Sequence, residues 1–75
     1  MKNILVNGRE KSIPHRKLTH EQIVLLAYGP TDHTDVVTVT YWRGPLKKPE
    51  GSLQPGESIA LREGMSFTAV RTNRA

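Results

Sequence analysis

The sequence predicts an α+β domain in which one short helix packs on a mixed β-sheet, in the order ββαβββ. Three observations carry that prediction. Asn7-Gly8 separates two short strand-like runs, Leu18–Ile23 reads as a capped helix start, and Val36–Trp42 is an unbroken run of β-branched and aromatic residues.

Each element has a local cause. Ile4-Leu5-Val6 reads as a strand, and Asn7-Gly8 suits a type I′ hairpin, which needs two residues tolerant of positive φ. Arg9–Ile13 is the return strand. Its thin apolar content and its charges, Arg9, Glu10 and Lys11, suit a sheet edge. Pro14 lacks a backbone donor and ends it. Thr19 is the predicted N-cap, with Gln22 completing a capping box and Leu18 and Ile23 at the staple positions. Glu21 complements the helix dipole. The helix runs to Tyr28, where Gly29 supplies a left-handed end and Pro30 blocks continuation. Ile23, Leu26 and Ala27 share the face expected in the core, while Val24, Leu25 and Tyr28 fall wholly or partly outside it.

Thr31–Asp35 reads as a polar loop. In the long strand Val37, Val39 and Tyr41 form the expected core face, and Thr38, Thr40 and Trp42 the other. From Gly44-Pro45 to Gly56 the sequence is turn-rich, with Leu53 as its one late apolar anchor. Ile59–Leu61 is a short strand. Met65–Val70 is the last strand, with Met65, Phe67 and Ala69 facing inward. The first and last strands are the expected central pair. Residues 1–70 form the domain and residues 71–75 a flexible tail.

Seventy-five residues allow one core. A chain this short buries only about 60% of its unfolded surface. There is no cysteine, so no disulfide supports it, and a reducing compartment, the cytoplasm, is the expected location. No apolar run approaches the roughly 20 residues needed to span a bilayer. The net charge of +4 comes from basic residues scattered along the sequence, with only Tyr41 and Trp42 near a basic pair. That pattern suits a solvated surface better than nucleic-acid binding.

The candidate chemistry is sparse. His15, His20, Asp32, His33 and Asp35 lack the spacing of a zinc site, and His20 is expected to be exposed. Ser12, Ser52, Ser58 and Ser66 have no surrounding nucleophile signature. Gly51–Gly56 lacks the lysine and helix of a phosphate loop. The expectation is therefore no metal, no cofactor and no enzymatic activity in this chain alone. Trp42 reads first as cover for the sheet edge or for the Pro45–Pro55 loop, and second as a docking residue. Leu25 and Tyr28 pose the same choice on the helix.

The ordered set Val6–Glu10, Leu18–Ile23, Ala27-Tyr28-Gly29, Thr38–Tyr41, Gly51–Ser58 and Glu63–Phe67 resembles the bacterial multiubiquitin family and related bacterial ubiquitin-like modifiers. The similarity covers roughly residues 3 to 70. The resemblance implies the β-grasp fold of ubiquitin. It also implies a monomeric protein tag, activated with ATP at its C-terminal carboxylate by an adenylating enzyme. A conjugating enzyme and target proteins follow, and a processing peptidase is sometimes associated. The tail Arg71, Thr72, Asn73, Arg74 and Ala75 has the position for that role.

One departure stands out. Such tags commonly end in two glycines, which pass where a Cβ would clash. This sequence has no glycine after Gly64. Three arrangements fit: Ala75 supplies the carboxylate, a peptidase trims the tail (for instance after Asn73), or the domain is recognised without conjugation. A non-covalent β-grasp binding module and a sulfur carrier are the alternative functions.

Overall fold

A computed structural model describes residues 1–30, 36–44, 46–47 and 49–72. The predicted loop Thr31–Asp35, Pro45, Lys48, and Asn73, Arg74 and Ala75 lie outside the described residues. The elements are β1 (Lys2–Val6), β2 (Arg9–Ile13), β3 (Lys17–Thr19), α1 (His20–Tyr28), β4 (Val36–Trp42), β5 (Gly51–Leu53), β6 (Ser58–Ala60) and β7 (Ser66–Thr72).

The hairpin forms as its turn chemistry demands. Asn7 and Gly8 both take positive φ, 52° and 80°, and Val6 pairs directly with Arg9. The main sheet runs β2-β1-β7-β4-β5. β2 is an edge strand, and β1 and β7 lie side by side in parallel. β7 pairs antiparallel with β4 over seven positions, from Val36 opposite Thr72 to Trp42 opposite Ser66. α1 packs on the inner face of this mixed sheet.

Two strands go beyond the expected ββαβββ order. Lys17–Thr19 is a strand before it is a helix cap, because Leu18 pairs with Ile59 of β6 in a separate two-stranded sheet. Gly51–Leu53 pairs with Val39–Tyr41 of β4 and becomes a short edge strand. Neither segment has enough apolar alternation to declare itself, so its partner supplies the order. β6 also begins one residue before the predicted strand and ends before Leu61, which is nonetheless buried.

α1 has a complete capping box. The Gln22 N–H donates to Thr19 Oγ1 at 3.1 Å, and the Thr19 N–H donates to Gln22 Oε1 at 2.9 Å. At the other end the Gly29 N–H donates to the Leu25 carbonyl. Gly29 has φ 75° and ψ −168°, so it ends the helix in an extended glycine conformation rather than the left-handed one expected.

Among the described residues thirteen apolar side chains form one core between α1 and the sheet. Ile4 and Val6, Val39 and Tyr41, and Met65, Phe67 and Ala69 reach it by strand alternation. Ile23 comes from the helix, Leu18 and Ile59 from the smaller sheet, and Leu61 from just after β6. Val24, Leu26, Ala27 and Val37 pack against it partly buried. His20 corrects the sequence reading: it is 6% exposed, not on the surface.

Two outcomes in urea unfolding follow. Ile23→Ala removes a fully buried side chain and should cost about 2–5 kcal/mol, whereas Val70→Ala on the outer face should stay within about 0.5 kcal/mol. Thr19→Ala removes the helix cap and should cost about 1 kcal/mol.

Candidate functional site

The first two residues of the predicted tail stand in a strand. Arg71 pairs with Val37 and Thr72 with Val36, so β7 runs two residues past Val70.

The end of β7 is secured by groups from three elements. β1 reaches only as far as Phe67 along this strand, pairing Leu5 with Ser66 and Val6 with Phe67. Beyond it the Asn7 side chain takes over. Its Oδ1 accepts from the Ala69 N–H at 2.8 Å, and its Nδ2 donates to the Ala69 carbonyl at 3.1 Å. An amide side chain thus supplies the next ladder step after the backbone has turned away. The Tyr28 hydroxyl donates to the same Ala69 carbonyl at 2.6 Å. The Arg71 guanidinium lies 5.4 Å from the centre of the Tyr28 ring, a cation–π arrangement. Tyr28, a candidate docking residue, is accordingly engaged in anchoring β7.

Trp42 and Leu25 fall on different layers. Trp42 is 42% exposed on the sheet face turned away from the helix. Leu25, 54% exposed, lies on α1. The three sequence candidates therefore do not make one surface. Trp42 instead joins Leu5, Val36 and Val70, which are also exposed and stand at outward positions of β1, β4 and β7. Between them lie Thr38, Thr40, Ser66 and Thr68, so the outer face of the three central strands is uncharged over these positions. The same alternation that placed Ile4, Val6 and Ala69 inward could have identified Leu5 and Val70 from sequence.

A second concavity runs between α1 and β4–β5. It has a volume of about 680 Å³ and is walled by Val24, Leu25, Val37, Val39 and Leu53, with His20 and Glu21 among its polar lining. His20 Nε2 is 2.9 Å from the Val37 carbonyl. A carbonyl only accepts, so Nε2 carries a proton and donates it to Val37. Nδ1 has no hydrogen-bond partner and lies 3.6 Å from Glu21 Oε2. The histidine ties the helix start to β4. Among the described residues no three His, Asp or Glu side chains gather as a metal site requires. Asp32, His33 and Asp35 lie outside them.

The sequence profile of the multiubiquitin family matches residues 3–73. The chain belongs to that family. Its one helix on a mixed sheet fits the ubiquitin-like fold, and the matched span takes in the whole of β7. Comparison with curated proteins and with solved structures gives no significant match. Among the described residues no helix of this multiubiquitin-family domain is long and apolar enough to cross a membrane.

The double use of Asn7 is testable. Asn7→Gly keeps the positive φ of the turn but strips the amide from Ala69, and should cost about 1–3 kcal/mol for the abandoned backbone groups. Hydrogen exchange should accelerate at the Ala69 amide while the Val6–Arg9 hairpin persists.

Proposed function

We propose that this domain is a ubiquitin-like protein modifier of a bacterial conjugation pathway, acting in the cytoplasm as a monomer and without catalytic residues of its own. Its C-terminal carboxylate would attack the α-phosphorus of ATP in a separate adenylating enzyme, forming an acyl adenylate and releasing pyrophosphate. A thiol or amine would then take the acyl group and release AMP, passing the tag through a conjugating enzyme to target proteins. The supporting observation is the family match over a domain whose last strand is held up to Thr72. A rigid body that ends at one known point lets an enzyme dock the globule and receive only the residues that follow.

The first of those residues are Asn73, Arg74 and Ala75. Each carries a Cβ, so they need a wider channel than glycines do, or trimming by a peptidase. The conjugation tail proper is then shorter than residues 71–75, because Arg71 and Thr72 serve the sheet.

The uncharged outer face around Trp42 favours a second reading, a reversible protein-binding module. The two readings also combine, with the face docking the activating enzyme. Exposed aromatics surrounded by small uncharged residues are common interface anchors.

Incubation of the protein with its adenylating enzyme and ATP should yield an adduct visible by intact-mass spectrometry. Deleting Asn73–Ala75 leaves the β4–β7 ladder intact and should abolish that adduct; an undiminished yield would sink the modifier reading. If the outer face docks the enzyme, Trp42→Ala should raise KM for the domain about tenfold with little change in kcat.

A further inference from the structure

The basic residues are scattered in the sequence, but folding gathers several of them at one end. Lys2 pairs with Ile13, which brings the start of β1 beside the run Pro14-His15-Arg16-Lys17. Lys17 pairs with Ala60, and the Leu61 N–H donates to the Arg16 carbonyl at 2.8 Å, so Arg62 follows directly. The Gly64 N–H donates to the Asn3 carbonyl at 2.8 Å and closes the group. Lys2, His15, Arg16, Lys17 and Arg62 therefore surround one pole, and the last four are exposed.

One carboxylate, Glu63, stands among them and offsets part of their charge. Glu63 is the carboxylate nearest in the chain, and its Oε1 accepts from the Asn3 N–H at 3.0 Å. Glu21 and Glu57 are similarly tied to backbone N–H groups, at Gly56 and Gln54, on the far side of the helix start. Among the described residues none of the four Lys and Arg side chains forms an ion pair with a carboxylate. A carboxylate bonded to a backbone N–H keeps its charge, so the pole sets the four Lys and Arg side chains against Glu63 and stays net positive.

The position of this pole matters as much as its charge. β1 and β7 are parallel, with Leu5 opposite Ser66. Lys2 lies three residues before that level and Thr72 six residues after its partner. At about 3.3 Å per residue the two ends are roughly 30 Å apart. The longest dimension of the domain is 37 Å. The basic pole and the departure point of the tail are at opposite ends.

We propose that the basic pole is a docking site for an acidic segment of a partner protein, one that can be occupied while the tail is engaged elsewhere. Charge complementarity selects the partner and speeds its encounter. An acidic polypeptide fits better than nucleic acid because the pole lacks a stacking platform. Tyr41 and Phe67 are buried, Tyr28 lies under Arg71 at the other end, and Trp42 stands on the outer sheet face. The inference concerns reversible binding and holds whether or not the tail is conjugated.

The probe is a poly-glutamate peptide titrated into the ¹⁵N-labelled protein. Shifts should concentrate at the amides of Lys2, Asn3, His15, Arg16, Lys17 and Arg62. The paired variant R16E/R62E should weaken binding about tenfold, and the control R9E/K47E, with the same change in net charge, should weaken it much less. Equal loss in both pairs, or shifts spread over all basic residues, would overturn the proposal. Tighter binding of single-stranded RNA or of vesicles containing anionic lipid at the same amides would also overturn it. Should R16E/R62E lose its spectral dispersion, R16Q/R62Q read in the same titration decides the matter.

Discussion

Ala69 is where the separate parts of this domain meet. Its N–H and carbonyl are turned toward β1, yet β1 has already reversed at Asn7-Gly8. The Asn7 amide fills the gap from the hairpin, and the Tyr28 hydroxyl reaches the same carbonyl from the helix. A buried or half-buried backbone group without a partner is costly, so these contacts are a condition for β7 to run on past β1. Its other side is paired with β4 over seven positions. The hairpin, the helix end and the long antiparallel pair thereby all converge on the last strand.

That convergence bears on the proposed modifier role. Strand pairing continues to Thr72. Arg71 is placed over the Tyr28 ring. The remaining surfaces divide cleanly. The uncharged outer face lies on one side of the sheet, the helix and its groove on the other, and the basic pole at the end away from the tail.

Much of this was legible locally. The Asn7-Gly8 turn, the Thr19–Gln22 capping box, the β2 edge and the inward alternation of β4 and β7 follow from short-range chemistry, and the structure has them all. The misses share a different cause. Gly51–Leu53 and Lys17–Thr19 are strands only because β4 and β6 lie beside them. Arg71 and Thr72 look like tail because nothing in their own composition asks for a strand; Val36 and Val37 recruit them. His20 looks exposed at a helix start, and is buried because its ring reaches the Val37 carbonyl across the core edge.

The sequence by itself determined the fold class, the hairpin, the helix and its cap, and which face of each long strand is apolar. Those features depend on residues within a few positions of one another, where φ preferences and side-chain periodicity act. Only the tertiary structure decided that Arg71 and Thr72 continue β7, that Asn7 and Tyr28 share Ala69, that Trp42 belongs with Leu5, Val36 and Val70, and that scattered basic residues form a pole. Each of these depends on the register between strands distant in the chain, and register is set by packing and pairing that no local signal contains.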